Sequence, residues 1–237
     1  MGIRRRLTET AEKALEAYGG RKRWQDLNRI QAEVSVRGLA FAMKSRPFFR
    51  RAHLDMKVHK PESSILPIGR EAAVAGLLCD GNVELRRNGE LLAERSDARA
   101  AFSHFRQILY WDDLAMAYFA NYAFWNYFTL PALLMREDIV WSEPAPGQLL
   151  AEFPKSIPTH SPIQEFYFEQ NGLLRQHNYT ATIISRFANA ANVVKAHESF
   201  GGIPFATKRI VSPASRKGTA LGFPVLIDID VHNIALH

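Results

Sequence analysis

The sequence predicts a mainly β fold with some α. The expected fold is a single curved antiparallel sheet, a half-barrel or incomplete barrel of about ten or eleven strands, around one buried aromatic helix and preceded by an N-terminal helix. Three observations predict it. From Ile30 onward, apolar residues recur at a period of two in short segments bounded by turn residues. Helices do not alternate with these strands, which favours antiparallel pairing. Residues 111–134 break the pattern with a run so aromatic that most of its faces must be buried. No linker or internal repeat divides the chain, so 1–237 reads as one domain of ordinary size for an all-β fold.

The first helix starts at Thr8 or Thr10, either of which can cap it, and carries Ala11, Leu15 and Tyr18 on one stripe. Gly19-Gly20 ends it. A short RKRWQDL turn or helix leads into a strand in which Ile30, Ala32, Val34 and Val36 alternate with polar residues, and Ala52, Leu54, Met56 and Val58 repeat the pattern. Further strands are expected at 72–79, 82–87, 90–95, 138–143, 148–153, 192–200, 204–211 and 224–235. The clearest hairpin is 163–182, with Asn171-Gly172 as a two-residue type I′ turn. That turn pairs Phe168 with Arg175 and Phe166 with His177. It places Phe166, Phe168, Arg175, His177 and Tyr179 on one face. In the aromatic segment Asp112-Asp113 supplies a cap and a favourable charge, and Pro131 ends or kinks the helix. Inside a β structure such a helix belongs in the hollow of the sheet.

Composition narrows the function. The net charge is +6, but Lys208-Arg209 and the other basic groups are small and scattered, so solvated surface rather than nucleic acid is expected. Cys79, the single cysteine, excludes an intramolecular disulfide and reads as a small buried hydrophobe. No apolar region follows Arg4–Arg6 to make a secretory signal, and no run is long enough to span a membrane. The expected location is cytoplasmic. HExxH and HxH metal spacings, P-loops, GxGxxG fingerprints and serine elbows are absent, so no metal and no cofactor are expected.

The helix ending in ALEAYGG, the Trp24/Leu27/Ile30 entry to the first strand and the long antiparallel run resemble the LolA/LolB lipoprotein-carrier type of fold. That resemblance implies an incomplete barrel whose concave face binds acyl chains. The sequence departs from periplasmic carriers in lacking their signal peptide and lipobox cysteine, which leaves an apolar cavity as the implication rather than lipoprotein traffic. YWDDLAMAYFANYAFWNYFTLP, GLLRQHNYT and GIPFATKR also resemble segments of uncharacterised bacterial proteins of about this length.

Three functions follow from these features. The first is binding of an apolar or lipid-like small molecule, with Tyr118, Tyr122, Trp125, Tyr127, Phe166 and Phe168 as candidate ligand-binding residues. The second is an enzyme (a cyclase, isomerase or hydrolase) using His177, Tyr179, Arg175 and His197 for acid/base catalysis in the same cavity. The third is an interaction module whose aromatic helix is only core. His104 and His160 lie in loops that would rim a cavity mouth, and Asp228, Asp230 and His232 read as the wet face of the last strand.

Overall fold

The computed structural model describes residues 7–103 and 110–237, so Arg4–Arg6 and His104 fall outside it. Helix α1 (Glu9–Ala17) begins where the Thr8 hydroxyl accepts the Ala11 N–H and stops at Tyr18, before Gly19 and Gly20 at positive φ. Helix α2 (Arg21–Asp26) buries Trp24, whose indole N–H donates to the Tyr18 carbonyl. The chain then runs outward through β1 (Arg29–Arg37), a short α3 (Leu39–Met43), β2 (Phe49–Lys57), β3 (Ser63–Leu66), β4 (Val74–Cys79), β5 (Asn82–Arg87) and β6 (Glu90–Arg95). It crosses the hollow as α4 (Asp113–Phe128) and α5 (Leu130–Leu134). It returns through β7 (Val140–Ala145), β8 (Gln148–Glu152), β9 (Ile163–Phe168), β10 (Leu174–Thr180), β11 (Asn189–Phe200), β12 (Ile203–Pro213) and β13 (Ile227–Leu236).

Among the described residues all 13 strands form one sheet, in the order β6-β5-β4-β3-β2-β1-β13-β12-β11-β10-β9-β8-β7. Two meanders are therefore joined where β13 pairs with β1, and the edges β6 and β7 stay apart, leaving an open half-barrel. The count exceeds the expected ten or eleven. The strand without a sequence signal is β3, whose four residues, Ser63–Leu66, are too few to display alternation. Cys79 is also corrected. Val74, Gly76 and Leu78 face inward, so the opposite parity exposes its thiol.

Helix α4 is held by both ends and by its middle. The Asp112 carboxylate accepts the Ala115 N–H at 2.7 Å and pairs with Arg95 at 2.6 Å, while Asp113 pairs with Arg46. At mid-helix Ala117 lies against Gly76, and the Asn121 amide donates to the Gly76 carbonyl at 3.0 Å. The Trp125 indole donates to the Lys57 carbonyl at 2.8 Å. Thr129 closes the helix, and Pro131 occupies the first turn of α5, where its missing N–H costs nothing. The aromatic segment thus makes two helices with the proline just past the break.

The 163–182 hairpin differs from expectation in its turn. Gly172 N–H donates to the Glu169 carbonyl at 2.9 Å and Gly172 takes φ +84, so the loop has three residues and a glycine bulge. Phe168 then pairs with Leu174, not Arg175. A second bulge at Arg175 cancels the shift and restores the expected pair of Phe166 with His177. Arg175 is consequently turned outward, beside Glu169 at 3.6 Å.

Candidate functional site

Opposite α4, four neighbouring strands line the hollow with polar side chains where an all-apolar wall would suffice. Gln164 on β9, His177 and Tyr179 on β10, Asn192 on β11 and Arg209 on β12 are all buried. The register makes them a belt. Tyr179 lies opposite Gln164 and His177 opposite Asn192, while Asn192 faces Val211, one inward position along β12 from Arg209. Arg209 corrects the expectation of solvated surface for Lys208-Arg209. Phe205, Arg209 and Val211 share the buried parity of β12, whereas Lys208 points outward to Asp228 and Asp230.

His160, expected at a cavity rim, instead sits at the centre and is fully buried. Its loop is tied down from two sides. Asn126 on α4 donates to the Pro158 carbonyl at 2.9 Å, and Arg99 donates to the Thr159 carbonyl at 2.7 Å. The imidazole then lies between two phenols, with Nδ1 3.1 Å from the Tyr122 hydroxyl and Nε2 2.8 Å from the Tyr127 hydroxyl. Tyr127 continues to the Tyr179 hydroxyl at 3.2 Å, and the Tyr179 ring stacks on His160 at 3.8 Å. His177 Nε2 is 2.6 Å from Gln164 Oε1, and its ring stacks on Phe166 at 4.2 Å. Gln164 in turn donates to Thr159 and Ser161.

Burial sets the protonation of this network. Desolvation, helped by the Arg99 charge, lowers His160 to about 3, and desolvation with His160 and Arg209 nearby holds His177 well below the ordinary histidine range. Burial likewise raises Tyr122 and Tyr179 well above the usual phenol value. At neutral pH both imidazoles are neutral and both phenols are protonated. Such groups make good hydrogen-bond partners but are poorly matched to proton transfer near pH 7. Arg209 is the charge in the belt. It is only 5% exposed, forms no ion pair among the described residues, and leaves Nη1 without a hydrogen-bond partner. Its guanidinium lies 4.9 Å from the Tyr127 ring centre, a cation–π contact.

The four candidate acid/base residues are not brought together. His177 and Tyr179 are neighbours, Arg175 is outside, and His197 lies farther along β11, where Nε2 meets the Tyr18 hydroxyl at 3.4 Å. The candidate ligand-binding residues also separate. Tyr122 and Tyr127 belong to the His160 network, Phe166 backs His177, and Phe168 sits at the hairpin end. Trp125 faces the β2 side, and Tyr118 forms part of the wall of an open groove.

Among the spaces that adjoin the network, Tyr127 and Arg209 line a small one of ≈10 Å³, and two others bear on ligand binding. An apolar cavity of ≈60 Å³ is bounded by Phe41, Trp111, Met116, Phe119, Tyr179 and Val211, among others. A wider groove of ≈880 Å³ runs past Asp97, Arg99, Tyr118 and the 153–162 loop. Among the described residues the metal-capable grouping is Glu62, Cys79 and Asp80, which contains no histidine of the belt.

No family model matches this sequence, and no curated protein matches it. Solved structures do. The chain is similar to a LolA superfamily protein from Nitrosomonas europaea, at 13% identity and TM-score 0.53 over 96% of this chain and 92% of that one. It is also similar to a DUF1329 family protein from Desulfovibrio piger, at 15% identity and TM-score 0.50 over 95% and 90%. At these identities the likeness is one of fold, and the fold is the LolA-like open half-barrel.

Proposed function

We propose that this protein binds an apolar, lipid-like small molecule between α4 and the concave face of the sheet, with Arg209 as the anchor for a polar or anionic end. The observation that carries this reading is an apolar cavity beside α4 that Val211 lines, with the buried Arg209 guanidinium one inward position away on the same strand and without an ion pair among the described residues. A buried cation without a partner is costly, and substitution by an apolar side chain would often stabilise the fold. A ligand headgroup would supply the missing partner.

A cavity of ≈60 Å³ accepts a few waters or a small hydrocarbon, and not a long chain. Longer ligands enter by displacing α3, a five-residue helix that docks through the Leu39 and Ala40 N–H groups on the Val225 and Leu226 carbonyls. Phe41 on α3 and Phe119 on α4 are the rings that move. The neutral His160–Tyr network forms the floor and is too well satisfied to be displaced cheaply.

Titration with two fluorescent probes tests this. N-phenyl-1-naphthylamine, which is neutral, and a fluorescent fatty acid should both bind saturably. Arg209→Met should weaken the fatty acid by roughly tenfold or more and leave the neutral probe nearly unchanged. Failure of both probes to bind overturns the reading, and equal loss of the two removes Arg209 from it.

A further inference from the structure

Three connections meet at one rim of the half-barrel. β1, β10 and β12 all run toward that rim and their antiparallel partners run away, so the 38–48, 181–188 and 214–226 segments cluster there. These segments expose apolar side chains that a globular surface ordinarily avoids. Phe223 is 81% exposed, Phe187 74%, Leu221 58% and Met43 55%, with Leu39 and Phe48 close behind. The same segments contain Lys44, Arg46, Arg186, Arg216 and Lys217 and no Asp or Glu. Lys44 and Arg46 are drawn inward, whereas Arg186, Arg216 and Lys217 are exposed. Nearby Asp113 is already paired with Arg46, and Asp228 with Arg37 and Lys208. The Arg186 guanidinium lies 4.7 Å from the Phe187 ring centre, so a cation and an aromatic share one loop tip.

We infer that this rim docks on an anionic lipid bilayer. Aromatic and aliphatic side chains projecting from separate loops, flanked by the exposed cations Arg186, Arg216 and Lys217, suit the headgroup boundary of such a surface. A second copy of the chain fits less well, because a two-fold contact would bring cations against cations with no carboxylate in the three segments to offset them. The rim also surrounds the apolar cavity, since Ala40, Phe41, Ile184 and Leu226 come from these same segments and line it. Docking would set the cavity mouth against the lipid. The inference stands apart from the ligand reading, because docking needs no bound ligand and probe uptake needs no vesicle.

Flotation of the full chain with phosphatidylcholine vesicles, with and without phosphatidylglycerol, tests it. The wild type should float with the anionic vesicles, and added salt should release it. Phe187→Ser/Phe223→Ser should lose flotation while keeping its melting temperature, because both side chains are exposed. Arg186→Ala/Arg216→Ala/Lys217→Ala should weaken anionic-vesicle binding by more than about tenfold. Absence of flotation with anionic vesicles overturns the inference, as does flotation that both variants retain. A dimer in sedimentation that the Phe187→Ser/Phe223→Ser variant abolishes, without flotation, overturns it in favour of a second copy.

Discussion

Gly76→Ala tests how α4 is seated, because two physical effects predict opposite signs. The backbone at Gly76 is not in the left-handed region, so alanine there would ordinarily stabilise by about 0.4–1 kcal/mol through the unfolded chain. Packing opposes this. A Cβ built on Gly76 would lie 2.6 Å from the Ala117 Cβ and 3.2 Å from Ile68 Cγ1. Carbon atoms pack best at about 3.5–4 Å, so the helix must retreat by roughly 1 Å. Overpacking of this kind costs about 1–3 kcal/mol. The retreat also strains the Asn121–Gly76 hydrogen bond, for about 1 kcal/mol more. The net expectation is a loss of about 1–3 kcal/mol, a fall in Tm of roughly 3–10 °C for a chain of this size. Urea and thermal unfolding measure it. The decisive arm is Ala117→Gly, which should cost about 1 kcal/mol in the wild type and restore stability in the Gly76→Ala background. If Gly76→Ala is stabilising, or if the two changes simply add, the close helix–sheet seat is wrong.

Two further expectations concern the polar network. Stability should fall on mild acidification, because His160 and His177 are held neutral in the fold and gain a proton in the unfolded chain. Their folded values lie below the unfolded value of about 6.5, so this stabilisation is complete above about pH 6.5 and declines as pH drops toward 3. Between pH 7.5 and 5.5 the two should together cost about 3 kcal/mol in urea unfolding; a flat profile would contradict their burial as neutral rings. Tyr127→Phe should cost about 2–3 kcal/mol, because it strips partners from the buried His160 Nε2 and the Tyr179 hydroxyl. A loss below about 0.5 kcal/mol would show that the network is not held by this phenol.

The sheet and its enclosed helix were legible because both rest on local periodicity. The alternation of Ile30, Ala32, Val34 and Val36 appears as an inward row of β1, and Asp112 caps α4. Two features were not legible. The three-residue turn and the Arg175 bulge each shift register by one, so the pairing of Phe166 with His177 was readable and the side taken by Arg175 was not. His160 has no signal within its own loop. Its partners Tyr122 and Tyr127 lie on α4, and long-range bonds to the 158–160 backbone, from Asn126, Arg99 and Thr182, bring them together. Two signals were present and outweighed. Strand parity in FATKRIV places Arg209 with Phe205 and Val211, and a glycine inside the 74–79 strand marks a close approach by another element.

The central claim is that the hollow beside α4 holds an apolar molecule. Native mass spectrometry of the protein purified from its own host tests it most directly. The expected result is a discrete, extractable apolar adduct that disappears on denaturation and competes with N-phenyl-1-naphthylamine for the site. Protein that carries no adduct and takes up no apolar probe would contradict it, and would leave α4 as core alone.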